Sequence, residues 1–215
     1  SPAVTHARAG QATMVDSGGL LKWSPHNLVT HSEDFSNASW VKQSGTTVTA
    51  NQATSPASTT TADLVVGNGT SGIIYYSPTS TAGVAETFTR TVWIKSVTGT
   101  PTVTLKDPVF TTGIVSCNLT TDWQSFVLTE ETTSNSSYKC GLWVDDIPSS
   151  GIYIWGAHLY RSDLGGMVNN PAQPTGFETY VPTTSSAVYL PRVGHHVYNG
   201  SAWVNEGVLH ESEAR

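Results

Sequence analysis

Three observations predict an all-β fold. The 215 residues include 31 Thr and 25 Ser, about a quarter of the chain, together with 19 Gly and 11 Pro. β-Branched and backbone-bonding side chains lose out inside helices, and Gly and Pro break them. The runs of Ala, Leu, Glu and Lys that build bundles and coiled coils are missing. Short β-rich runs recur instead, separated by turn residues at the spacing of two packed antiparallel sheets. The expected architecture is an antiparallel two-sheet sandwich with an N-terminal arm and a C-terminal β-hairpin and tail.

The arm covers residues 1–26. Residues 11–16 read as a short strand, Asp16-Ser17-Gly18-Gly19 as a turn, and 20–23 as a second strand ending at Ser24-Pro25. The sandwich spans 27–183, with strands at 46–50, 62–66, 73–76, 86–95, 102–106, 114–118, 123–130, 138–145 and 151–160. Gly67-Asn68-Gly69, Ser77-Pro78, Thr98-Gly99-Thr100-Pro101, Asp107-Pro108 and Pro148-Ser149-Ser150-Gly151 punctuate them. After Tyr160, Gly165-Gly166, Asn169-Asn170-Pro171 and Pro174 predict a surface loop. Residues 184–215 read as a separate hairpin and tail: Asn199-Gly200 between His196-Val197-Tyr198 and Ser201-Ala202-Trp203-Val204 suits a type I′ turn.

Composition excludes several functions. With 10 Lys+Arg against 16 Asp+Glu the net charge is −6, and no basic cluster exists to neutralise nucleic-acid phosphates. No stretch approaches the roughly 18 apolar residues that cross a membrane. The 38% apolar content and 7 Trp are enough for a real core. Ser1 to Gly10 carry no apolar signal region and no initiator Met, as expected of a processed product or a piece of a longer polypeptide. Cys117 and Cys140, both on predicted strands, fit either a bridge or two buried thiols.

The stretch Asn27-Leu28-Val29-Thr30-His31-Ser32-Glu33-Asp34-Phe35-Ser36-Asn37-Ala38-Ser39-Trp40 resembles the "NLL-T-SE-FSNA-W" opening of jelly-roll modules in bacteriophage and prophage virion proteins. In order along the chain, Phe88 to Lys95 is similar to their "FS-YVK" strand and Thr121 to Phe126 to their "T-WQR" strand. Gly151 to Leu159 is similar to "IYIWGAQLE", and Tyr180-Val181-Pro182-Thr183 to the closing "YIPT". The tail from Leu190 to Arg215 is similar to linkers that precede another such module in phage and gene-transfer-agent-like proteins. The resemblance implies a jelly-roll related to carbohydrate-binding modules and a virion location in a tail fibre, head fibre or decoration. His158 stands where those modules have Gln, so no role of that Gln carries over.

Sugar binding on a β-sandwich needs exposed rings for the C–H faces of a pyranose and planar polar groups for its hydroxyls. Alternation puts Trp93 with Thr89, Thr91 and Lys95 on one face of its strand, and Trp143 with Lys139, Gly141 and Asp145 on one face of its own. The candidate glycan platform is Trp93, Trp143, Lys95 and Asp145. The competing reading is that both indoles face the second sheet or a covering loop. Trp40, Trp123 and Trp155 fall in the recurring blocks and are assigned to packing.

No catalytic residues are expected. Asp145-Asp146 and Glu130-Glu131 are adjacent acids, which alternate between faces rather than converging across a cleft. No Gly-x-Ser-x-Gly occurs. His195-His196 cannot chelate one metal from the same strand face, and no Asp-x-Asp-x-Asp loop is present, so no metal or cofactor is expected. The reading is a non-enzymatic virion display protein whose partners are other virion proteins through its terminal segments, a host surface polysaccharide, and further copies of itself. A purely structural decoration is the alternative, and a glycan depolymerase a third.

Overall fold

A computed structural model describes residues 10–69, 71–77, 85–107, 113–132 and 141–209, and none of these lies in a helix. In chain order the strands are β1 (Thr13–Val15), β2 (Leu21–Trp23), β3 (His26–Asn27), β4 (Val41–Gln43), β5 (Thr47–Ala53), β6 (Ala62–Val66), β7 (Gly72–Tyr76), β8 (Thr87–Ser96), β9 (Thr102–Lys106), β10 (Ile114–Asn118), β11 (Gln124–Glu131), β12 (Leu142–Ile147), β13 (Ile152–Arg161), β14 (Val188–Tyr189), β15 (Arg192–Val193), β16 (His196–Tyr198), β17 (Trp203–Asn205) and β18 (Val208–Leu209). Two five-stranded antiparallel sheets dominate: a first ordered β10-β9-β12-β7-β4 and a second ordered β11-β8-β13-β6-β5. The chain is an all-β sandwich.

Strand alternation fills the space between the sheets. Ile74, Leu105, Leu142 and Val144 turn inward from the first sheet, and Val65, Val92, Ile94, Ile152 and Ile154 from the second, all 0% exposed. Each such side chain contributes about 1.5–3 kcal/mol through removal from water. Phe35 and Trp40 join the same core from the segment before β4, with ring centroids 4.4 Å apart. That segment is held by buried Asp63, whose carboxylate accepts the N–H of Phe35 at 2.8 Å and of Asn51 at 2.9 Å. Burial, more than any other influence, pushes the Asp63 carboxyl above its usual range.

Several elements differ from expectation. β4 had no sequence signal, since Val41-Lys42-Gln43 is a short edge strand with one apolar residue. β5 runs past residue 50 to Ala53 because its register against β6 shifts between Thr49 and Ala53, with Asn51 in the left-handed region at φ 57°. The strand expected at 138–145 is described from Leu142 and ends at Ile147; 138–140, with Cys140, lie outside the described residues. Cys117 is a free thiol buried on the core side of β10, and burial pushes it up to about 11.

The described segments that flank the sandwich pack on one another. β1 and β2 pair as the expected hairpin, and β3 pairs with β14 from the far end of the chain. The Asn27 side chain ties β3 to the sandwich, donating to the carbonyls of Ala157 and Val181 and accepting the N–H of Leu159. His195 Nδ1 accepts the Val15 N–H at 3.0 Å. The β16–β17 turn is a four-residue connection rather than a type I′ turn. Tyr198 pairs with Trp203, and the Asn199 side-chain carbonyl accepts the N–H groups of Ser201 and Ala202. The segment after β13 is not merely a surface loop: Trp23 exchanges backbone hydrogen bonds with Gly166 and Val168, and Asn170 and Tyr180 are buried.

Candidate functional site

On the outer face of the first sheet, the register sets Val41, Tyr75, Trp143, Lys106 and Ile114 side by side, one from each strand. Each points outward because its strand neighbours, such as Ile74, Tyr76, Leu142, Val144 and Leu105, are claimed by the core. The rings of Tyr75 and Trp143 stack with centroids 4.1 Å apart and planes 19° from parallel. Neighbouring strands lie about 4.8 Å apart, so rings stacked at that distance stand on end and Tyr75 covers one face of the indole. The other face of Tyr75 looks over the shorter Val41. Gln43 donates to the Tyr75 hydroxyl at 3.5 Å.

A second row on this face places Asp145 beside Thr104, and Thr104 beside Ser116. The Lys106 ammonium meets Asp145 Oδ2 at 2.5 Å. Asp145 and Asp146 do not alternate between faces. Asp146 adopts φ 59° at a register shift between Val144 and Ile147, so both carboxylates turn toward β9. The Thr104 hydroxyl donates to Asp146 Oδ2 at 2.6 Å.

Trp93 and Lys95 occupy the outer face of the second sheet, where Trp93 pairs with Trp155 and Lys95 with Tyr153. Phe177 covers Trp93 at a centroid distance of 5.5 Å, within a small cluster that includes Ala62, Trp155 and Tyr180. The Lys95 ammonium lies 5.0 Å from the Trp123 ring centroid and 5.4 Å from that of Tyr153. Trp123 is fixed across this face by its indole N–H, which donates to the Thr54 carbonyl at 3.0 Å.

The four predicted residues therefore do not form one platform. Trp143 and Asp145 face outward from the first sheet, Trp93 and Lys95 from the second, and the core lies between them. Alternation assigns a side chain to a face of its own strand, but it does not say which sheet the strand joins. Trp93 also follows the competing reading in part, since Phe177 overlies it. Trp40 and Trp155 are packing residues, whereas Trp123 is only partly buried and carries Lys95. Tyr75 and Lys106 join Trp143 on this face; Thr102–Lys106 alternates in a way that turns Lys106 outward, whereas Gly72–Tyr76 is apolar throughout and gives no sign of which tyrosine faces out.

A cleft of about 560 Å³ lies elsewhere, lined by His31, Glu33, Asp34, Asn51, Thr61 and the 182–184 segment. No Trp, Tyr or Phe lies among its described lining residues. His195 and His196 bond separately, to the Val15 N–H and the Gly194 carbonyl. Among the described residues no group of three His, Cys, Asp or Glu side chains is arranged to hold a metal ion.

No protein-family model and no curated protein sequence matches the chain. Solved structures with a similar fold include the enzymatically active domain of bacteriophage CBA120 tailspike protein 4, at 15% identity and a TM-score of 0.45 over 63% of this chain and 21% of that one. The xylan-binding CBM22-1 domain of Paenibacillus barcinonensis Xyn10C aligns at 16% identity and a TM-score of 0.46, over 64% of this chain and 96% of that one. A Stig cyclase, Fisc from Fischerella sp. TAU, aligns at 15% identity and a TM-score of 0.47, over 64% and 98%. This chain thus spans a small part of the tailspike domain and nearly the whole of the two smaller proteins.

Proposed function

We propose that the chain is a non-enzymatic display module of a phage or phage-like particle that binds host surface polysaccharide on the outer face of its first sheet. The row Val41–Tyr75–Trp143–Lys106–Ile114 carries the reading. It is a ridge of two stacked rings crossing the strands, with the phenol beside the shorter Val41 offering a face for the C–H surface of a pyranose. Gln43, Thr104, Ser116 and Asp146 lie beside it as hydroxyl partners. With Lys106 and Asp145 paired, the described residues of the face hold no unopposed cation and suit a neutral glycan.

The ordered blocks from Asn27 to Thr183 support the virion setting, and the terminal hairpins support an anchor. Leu20, Leu21, Val193, Val197, Tyr198, Trp203 and Val204 are all exposed large apolar side chains in those end segments. Copurification with particles tests the setting; absence from purified particles rejects it. A glycan array followed by titration tests the face. Tyr75→Ala and Trp143→Ala should each weaken binding by about tenfold or more. Retained affinity in both variants, or no bound glycan at all, rejects the site. Release of reducing ends from a bound polysaccharide would replace the binding reading with a hydrolytic one.

A further inference from the structure

Among the described residues nearly every lysine and arginine is spoken for. Lys22 pairs with Asp16, Lys106 with Asp145, and Arg161 with Glu86 and Asp163. Lys42 donates to the carbonyls of Ser36 and Asn37, Arg90 to that of Gly141 and Arg192 to that of Thr13. Lys95 differs. Among the described residues its ammonium has no hydrogen-bond acceptor and no carboxylate within ion-pair distance, and it rests between the rings of Trp123 and Tyr153.

A lysine head held this way is preorganised. Its stem lies along the second sheet, two rings attract the charge, and Trp123 is fixed by its bond to Thr54. The ammonium keeps its three N–H donors for an outside partner. Phe177 and Trp93 continue the aromatic surface beside it. A half-buried cation beside two rings, on a sheet face that also carries Thr91 and Ser125, matches a sugar that bears a carboxylate: the anion meets the ammonium and the pyranose C–H groups meet the rings.

We infer that the outer face of the second sheet is a second glycan site, selective for acidic sugars of the uronate class and centred on Lys95, Trp123 and Tyr153. The inference rests on the reading that this module binds sugars, but it uses a different face and the opposite charge preference. The paired Lys106 and Asp145 leave the first face suited to neutral chains, while the unopposed Lys95 makes the second face suited to anionic ones. One module would then grip a polysaccharide of mixed neutral and acidic residues from both sides.

The test is calorimetric titration of the whole chain with oligogalacturonate, mannuronate oligomers and hyaluronan oligosaccharides, with methyl-esterified oligogalacturonate as the neutral control. At least one acid oligomer should bind, the ester should not, and affinity should fall as salt rises. Lys95→Met keeps the stem and removes the charge, and should weaken binding by about tenfold or more with an unchanged melting temperature. Lys22→Met removes the same charge at the Asp16 pair in the arm and should leave binding intact. No binding by any acid oligomer, equal binding of the ester, or equal losses in the two variants would overturn the inference. If neutral glycans still bind through Tyr75 and Trp143 in that case, only this second site is lost. If uronate binding needs Lys95 but no neutral glycan binds, the first site is lost instead.

Discussion

Tyr75 and Trp143 stand opposite one another on β7 and β12, stacked 4.1 Å apart on the solvent side of the sheet rather than in the core. Rings on an outer sheet face that stack on each other hold each other upright, so each should depend on its neighbour. A double-mutant cycle with Tyr75→Ala and Trp143→Ala in urea unfolding should give a coupling of about 0.5–1.5 kcal/mol. A coupling near zero would mean that the rings are independent and that the ridge is not rigid.

Asp63 carries a heavier structural load. Its two carboxylate oxygens accept the Phe35 and Asn51 N–H groups, organising the segment that brings Phe35 and Trp40 into the core. Asp63→Asn keeps one acceptor and turns the other position into a donor facing an N–H. The variant should lose about 1–3 kcal/mol, read as a lower urea midpoint at unchanged slope. An unchanged midpoint would mean the segment is held by its rings alone.

These two sites mark where the sequence is readable. Alternation over 142–145 puts Trp143 outward, because period two is a local property of one strand, whereas Gly72-Ile73-Ile74-Tyr75-Tyr76 is apolar on both faces and does not say which tyrosine turns out. The meeting of Tyr75 and Trp143 is not local: it depends on β7 and β12 pairing across a long stretch of chain, which only the assembled sheet decides. For the same reason alternation alone places Trp93 and Trp143 on similar polar strand faces although their strands enter different sheets. Asp146 departs from alternation for another reason. Its left-handed backbone is imposed at the register shift beside β9, and Asp-Asp carries no turn signal that would announce it.

Gly67 and Gly69 separate two costs that a glycine can hide. A Cβ on Gly67 would lie 1.9 Å from the Ile147 carbonyl oxygen, in a close crossing of two backbones. Gly69 has φ +91° with nothing within 4 Å among the described residues, so a side chain there meets only backbone strain. Gly67→Ala should cost about 3 kcal/mol and Gly69→Ala about 1 kcal/mol, compared by thermal unfolding. Equal losses would show that β6 and β12 can part without penalty.

Two buried histidines set the acid limit of the fold. His158 donates from Nε2 to the His26 carbonyl at 2.9 Å, and His26 donates from Nδ1 to the Ser24 carbonyl while its Nε2 accepts the Arg161 N–H. Burial is the main cause in both cases, lowering His26 to about 4 and His158 to about 3. Both are therefore neutral in the folded chain and protonate near 6.5 when unfolded. The unfolded state binds more protons below pH 6.5, so stability is full above that value and falls as pH drops toward 4. Two such groups remove roughly 5 kcal/mol between pH 6.5 and 4.5. Asp63, raised by burial, opposes this weakly at the lower edge of the window. His158→Gln retains a donor for the His26 carbonyl without a titrating ring, and should about halve the slope of stability against pH below 6. Because His26 lies on β3, paired with β14, acid should free the terminal segments first. Hydrogen exchange at pH 4.5 should show β3 and β14 opening ahead of β8 and β13, and simultaneous opening of all four would refute a local acid weak point.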